Sequence, residues 1–238
     1  MSVMSQKTGP LRDSHGTAKY RHEMIAAVLR VDPSDGLTVL VTRRTREPFR
    51  GRWGLPSGAL ETDELLDDSL RRHLADRTGL RHLNHVEQLE TRGAPDRDPA
   101  DRTIATAYLG LVPSPTALSP AAVWLPVAEA VGEAMAFDHA ELVSVAAERL
   151  RAKLSYTNIG FALVDEEFTI SQLRDTYATV LGYQVNATNL RRILERRRQL
   201  EPTGTTAPSG TGGGRPAALF RFTTRTLQVT DPSAVLRP

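Results

Sequence analysis

The sequence predicts an α+β protein built of two folded units, and three observations predict it. Short apolar runs broken by turn residues fill the first part of the chain, apolar residues at helical spacing punctuate and then follow them, and the charge balance changes sign between the two parts. At 238 residues the chain is longer than the ~150 residues of a typical domain.

Taken in order, residues 1 to 20 are rich in Ser, Gly, Thr and charge and are expected as a disordered tail. Met24 to Val31 and Leu37 to Thr42 are runs of Val, Leu and Ile on either side of Asp32-Pro33-Ser34-Asp35-Gly36, whose residue types suit a tight turn, so the pair predicts a β-hairpin. Further strands are expected at Val86 to Thr91 and Thr103 to Val112, separated by a loop from Arg92 to Arg102 with two prolines, a glycine and three aspartates. Leu65, Leu66, Ser69, Leu70 and Leu74 recur at helical spacing and stop at Gly79, a residue suited to a left-handed helix end. Asp138 and Glu141 stand in capping-box register ahead of a second helix with Leu142, Val145, Ala146 and Leu150 along one side. A mixed sheet flanked by helices, an α/β/α sandwich, follows for residues 21 to 153.

The second unit is expected over 154 to 230. Thr169 and Gln172 form another capping-box pair, and Ile170, Leu173, Tyr177 and Val180 line one face before Gly182. A further helix starts after Asn186 and carries Arg191, Arg192, Glu195 and Arg196 around Leu190, Ile193 and Leu194. Residues 203 to 216, TGTTAPSGTGGGRP, are too rich in Gly, Thr and Ser to predict structure, and they lead into a strand-like Ala217 to Thr223. Short helices, a flexible loop and a strand in that order outline a winged helix-turn-helix.

Composition excludes several functions. With no cysteine there is no disulfide framework, zinc-thiolate site or thiol nucleophile. The early apolar run Met24 to Leu29 falls far short of the ~18 residues of a membrane span, and the polar start lacks a secretory core, so the expected location is the cytoplasm and no membrane partner is expected. Residues 1 to 150 hold 18 basic and 21 acidic groups, whereas residues 151 to 238 hold 12 basic and 7 acidic, an asymmetry that suits nucleic-acid binding by the second unit and would equally arise from a solvated basic face.

The first unit carries one motif. From Gly58 the chain reads GALETDELLDDSLRRHLADRTGL, and Gly58, Glu64, Arg72, Leu74, Gly79 and Leu80 fall on the pattern G-x5-E-x7-R-E-U-x-E-E-x-G-U, in which U is aliphatic. This resembles the Nudix box, and FRGRWGLP at 49 to 56 resembles its run-in. The resemblance implies a Nudix fold and, in catalytic members, three box glutamates that hold a divalent metal beside a diphosphate, since a hard cation takes oxygen ligands. Here those positions hold His73, Asp76 and Arg77. Only one carboxylate survives, and a guanidinium cannot shed its proton. Neither catalysis, metal nor cofactor is therefore expected. A diphosphate hydrolase, drawing on Asp76 with Glu61 or Glu64, is the alternative. Glu64 and Arg72 are read as an ion pair or as solvated, and His73 and His139 as ordinary helix histidines.

Arg43, Arg44, Arg46 and Arg50 cluster behind the hairpin, and paired guanidinium donors suit diphosphate oxygens, although four arginines also suit a solvated loop. In the second unit, Asn186, Thr188, Asn189, Arg191 and Arg192 stand at the end of the basic helix that a recognition helix turns into the major groove, with Arg196 further along; the same face would also serve to dock on the first unit. The run Gly210 to Gly214 and Arg215 suit a wing tip reaching the minor groove, or a linker.

A degenerate Nudix box followed by a winged helix resembles the Nudix-related transcriptional regulators of NAD metabolism, of NrtR type. The segments that carry it are FRGRWGLPSGAL at 49 to 60, APDRDP at 94 to 99, AFDHAEL at 136 to 142, NLRRIL at 189 to 194 and GGRPAALFRF at 213 to 222. The resemblance implies a homodimeric repressor of NAD biosynthesis or salvage genes that binds a palindromic operator on double-stranded DNA and answers to ADP-ribose or a related nucleotide. It adds Gly58, Arg97 and Phe137 to Arg43, Arg44 and Arg50 as effector-binding residues. Ser57 departs from a frequent family glycine.

Overall fold

The computed structural model describes residues 12–132, 135–208 and 216–231. Of the tail expected over 1–20, residues 1–11 lie outside the described residues. Arg12 to Tyr20 form a turn in which the Asp13 carboxylate accepts from the backbone of His15 and Thr17.

The hairpin is β1 (Arg21–Asp32) and β2 (Gly36–Arg43), joined by the expected turn, with Gly36 at φ 74°. Next come β3 (Trp53–Gly54) and β4 (Ser57–Ala59), then α1 (Leu66–Thr78), capped by Gly79 at φ 76°. The strands β5 (His85–Arg92) and β6 (Thr103–Leu111) follow, and then β7 (Ala122–Pro126) and α2 (Val127–Gly132), neither of which the sequence pattern announces. The sheet runs β3-β2-β1-β6-β5, with β4 on β1 and β7 on β2; β1 and β6 are parallel and the other pairs antiparallel. Met24 to Leu29 are all buried because β1 is the central strand with a helix layer over each face. On one face Met24, Ala26 and Val28 pack with Leu70 and Leu74 of α1. On the other Ile25, Ala27 and Leu29 pack with Leu142, Val143, Ala146 and Leu150 of α3 (His139–Tyr156).

Three expectations need correction. Asp138 is the residue before α3, but its side chain makes no cap bond; Arg97 takes both of its oxygens. Leu65 precedes α1 and is 73% exposed, so it is not part of the apolar face. The run 203 to 216 is not wholly irregular, since β9 (Leu200–Thr206) includes its first residues, paired with β10 (Ala218–Phe222). Pairing across the sheet satisfies that backbone whatever its composition.

The second unit begins where α3 ends at Tyr156. A 3-10 turn (Ile159–Ala162) leads to β8 (Phe168–Thr169), α4 (Ile170–Leu181) and α5 (Ala187–Arg196). The Thr169–Gln172 capping box is present in both directions, and Gly182 ends α4 at φ 78°. A three-stranded sheet in the order β8-β10-β9 closes the unit, which gives the winged helix-turn-helix architecture. Leu173, Tyr177, Val180, Leu190, Leu194, Phe220 and Phe222 belong to the same continuous core as α3 and β1, so the two units share their packing.

A candidate effector cleft and DNA-binding helix

A cleft of about 580 Å³ opens between the start of β1, the loop after β2, the last turn of α1 and the loop before β6. That size suits a small-molecule site. Arg21, Arg43, Arg44, Arg46 and Arg77 line it with Glu23, Glu47, Asp76, Asp98 and Asp101, and Phe137 forms an aromatic wall.

Arg43 and Arg44 are positioned rather than free to swing. Arg43 lies 3.8 Å over the Trp53 ring and donates to the Gly51 carbonyl at 2.8 Å. Arg44 lies 4.5 Å over Phe137 and its Nε donates to Pro48 at 2.9 Å. Burial pushes the Arg44 pKa down from its ordinary value; Arg77 and Arg21 push the same way, while Glu23 and Asp98 oppose them. The three cations therefore converge on one space. Phe137 holds its place at φ 54° against Phe49, with ring centroids 5.0 Å apart.

Three expected effector residues lie elsewhere. Arg50 sits on the exposed tip of the turn and does not line the cleft. Gly58 faces α1 instead, because a β-carbon there would fall 2.0 Å from the His73 ring, so the glycine makes room for that histidine. The Arg97 side chain is 2% exposed and grips Asp138 through Nε at 3.2 Å and Nη2 at 2.8 Å, with Glu23 3.6 Å from Nη1. Burial alone would raise the Asp138 carboxyl; the hydrogen bonds and charge of Arg97 outweigh it and hold the carboxyl below its ordinary value. Arg97 ties the 92 to 102 loop to the start of α3 and does not line the cleft.

His139, expected as a bare helix-start residue, is 1% exposed, and its Nδ1 accepts the Leu55 N–H at 2.9 Å. Burial lowers its pKa to about 4, with Glu23 and Asp138 pulling the other way. Nε2 then carries the proton. No local pattern marks this contact, because 84 residues separate its partners. Arg21 and Glu23 were missed for a similar reason: only the pairing of β1 with β6 brings the start of the hairpin to the cleft.

The box residues do not fit a divalent cation. Nε2 of His73 donates to the Ala59 carbonyl at 2.9 Å, directed at the strand. Glu64 is gripped by Arg72 through Nε at 2.7 Å and Nη2 at 2.6 Å, which holds its carboxyl down at about 2. Asp76 reaches the cleft beside Arg77. Among the described residues no group of three or more His, Asp or Glu is placed to hold a metal ion.

In the second unit, α5 turns Leu190 and Leu194 into the core and leaves Thr188, Asn189, Arg191, Arg192 and Arg196 exposed. Two of its polar groups already have duties. Asn186 caps the helix by accepting from the Asn189 N–H at 2.9 Å, and Arg191 pairs with Glu195 at 2.8 Å while lying 4.8 Å over Phe220. Arg192 reaches Asn189 at 2.8 Å, whereas Arg196 has no side-chain partner among the described residues. Arg215 and the run Gly210 to Gly214 lie outside the described residues.

A Nudix sandwich with an arginine-lined cleft, fused to a winged helix that exposes a basic helix, defines a class: Nudix-related transcription factors. Residues 21–145 match the Nudix domain model and residues 160–222 match the NrtR DNA-binding winged helix domain. The chain is similar to the ADPR responsive transcriptional repressor NtrR of Acinetobacter baylyi, at 31% identity over 205 residues, 82% of this chain and 79% of that protein. It also matches Shewanella oneidensis NrtR complexed with a 27mer DNA, with TM-score 0.73 and 29% identity over 84% of this chain and 93% of that one. The Nudix domain of the same protein complexed with ADP ribose matches with TM-score 0.53 and 30% identity over 58% of this chain and 93% of that one. The chain belongs to the NrtR family.

Proposed function

We propose that this protein is a DNA-binding transcriptional repressor of NAD biosynthesis or salvage genes whose Nudix domain, over 21–153, binds ADP-ribose or a related nucleotide instead of hydrolysing it. The observation that carries this reading is an arginine-lined cleft at the degenerate box, together with a basic, solvent-facing α5 in one chain. The relatives that respond to ADP-ribose or were solved with DNA and with ADP ribose support it. Arg43, Arg44 and Phe137 are assigned to the nucleotide, with Arg21, Arg46 and Arg77 added and Arg50, Gly58 and Arg97 given up. Thr188, Arg192 and Arg196 are assigned to DNA by their exposure, with Asn189 and Arg191 beside them and Asn186 as the cap. In a homodimer, two such helices would meet half-sites of a palindrome about 10 bp or a multiple apart.

The test is an electrophoretic shift with DNA upstream of the protein's own gene and of neighbouring NAD genes, repeated with NAD, ADP-ribose and nicotinamide mononucleotide. A shift that ADP-ribose alters at micromolar levels is expected; no shift on any such DNA defeats the reading. Incubation with ADP-ribose and millimolar magnesium should yield no AMP, and rapid AMP formation would favour the hydrolase.

A further inference from the structure

Within the effector reading above, we infer that Arg77 takes over the electrostatic task that a divalent metal performs at this position in diphosphate-cleaving Nudix sites, so that the cleft binds a diphosphate without metal. Arg77 stands in the last turn of α1, on the wall of the cleft, at a box position where the pattern has glutamate. Its guanidinium makes no hydrogen bond or ion pair among the described residues, and the same holds for Arg21 and Arg46. The acids opposite are more committed. Glu23 lies 3.6 Å from Arg97, Asp98 accepts from the Ala100 N–H and the Thr103 hydroxyl, and Asp101 accepts from the Arg102 N–H. The cleft thus presents unspent guanidinium donors beside the carboxylates of Asp76 and Glu47, and Arg77 and Arg21 stand near enough to Arg44 to add to the lowering of its pKa that burial begins.

A diphosphate in a confined site needs a positive charge among its oxygens. A glutamate wall supplies it indirectly, by recruiting a cation. Arg77 supplies it directly: its fork of donors matches phosphate oxygens, and its fixed charge repels any cation seeking the lone Asp76. Metal-free binding and the loss of the cation are then one substitution with two effects. A guanidinium in a helix's last turn also suits the helix dipole, and that role alone would change thermal stability without touching ligand affinity.

Titration calorimetry on the full chain distinguishes these roles, using ADP-ribose in EDTA and in millimolar magnesium, and inorganic pyrophosphate in EDTA. Wild type should bind ADP-ribose equally well in both media. Arg77→Ala should bind both ligands roughly 10- to 100-fold more weakly, as expected for loss of charged hydrogen bonds. Arg77→Lys should recover part of the loss, and Arg77→Glu should gain affinity when magnesium is added. All three substitutions fall on one exposed position, and melting curves check their folding. Wild-type binding of ADP-ribose that requires magnesium, or affinity unchanged in Arg77→Ala, overturns the inference and leaves the effector reading intact. Metal-free, Arg77-dependent binding of pyrophosphate without binding of ADP-ribose upholds the inference and defeats that effector. Binding of neither ligand in any medium overturns both.

Discussion

Arg97 and His139 are among the polar side chains most deeply set beside the cleft, and their roles follow from burial. Arg97 spends its donors on Asp138 and Glu23, since a guanidinium taken out of water must be paired. His139 stays neutral for the same reason, with Nδ1 committed to the Leu55 N–H. Its pKa is lowered from 6.5 to about 4 on folding. The unfolded chain therefore takes up a proton between those values while the folded one does not, so stability is full above about pH 6.5 and falls as the pH drops toward 4. The loss is on the order of 3 kcal/mol over that range. In His139→Asn, whose amide oxygen can still accept from Leu55, the part of the acid slope due to this residue should vanish. Urea unfolding at pH 7 and pH 5 measures it, and an identical slope in both proteins would remove His139 as its source.

Helix α5 shows how an element divides its surface. Leu190 and Leu194 bury one side, Asn186 satisfies a free amide at the first turn, and Arg191 is braced by Glu195 and Phe220. Arg196 carries none of these duties, which makes it the cleanest probe of DNA contact. Arg196→Ala should weaken operator binding, lower the salt slope by about one phosphate contact and leave the melting temperature unchanged. Binding isotherms at several salt concentrations test this; an unaltered slope takes Arg196 off the DNA. Asn186→Ala is a poorer probe, because losing the cap costs about 1 kcal/mol of helix stability in its own right. Helices α1, α3, α4 and α5 were legible in sequence because apolar spacing and helix-end residues are local. The short β3, β4, β7 and β9 were not, since each is defined by a distant partner, as Leu200 is by Phe222.

At the scale of the molecule, α3 and the segment after β10 bind the two units together. Asn158, just past α3, donates to Thr226 and accepts from the Gln228 N–H, while Thr230 donates its N–H to Tyr156. Arg197, at the end of α5, reaches Ser155 at 3.0 Å and Asp231 at 2.6 Å, and Arg151 of α3 donates to Val180 of α4 at 2.9 Å. With one apolar cluster running from Ile25 to Phe222, the described chain should unfold in a single transition. Scanning calorimetry should give equal calorimetric and van't Hoff enthalpies, and two resolved transitions would contradict a shared core. The same continuity offers a route by which a ligand in the cleft biases α5, to the extent that it favours one arrangement over the other.

The sequence by itself determined the order of the two units, the residues of the hairpin and most helices, and the loss of the acidic box at His73, Asp76 and Arg77, because these are matters of spacing along the chain and of side-chain identity. Tertiary structure decided which arginines face the cleft and which are consumed beneath it. Arg46 and Arg97 look alike in sequence, yet one lines open space and the other is locked to Asp138, 41 residues away. Charge type is local, whereas the partner that satisfies a buried charge is chosen only when distant strands and helices close around it.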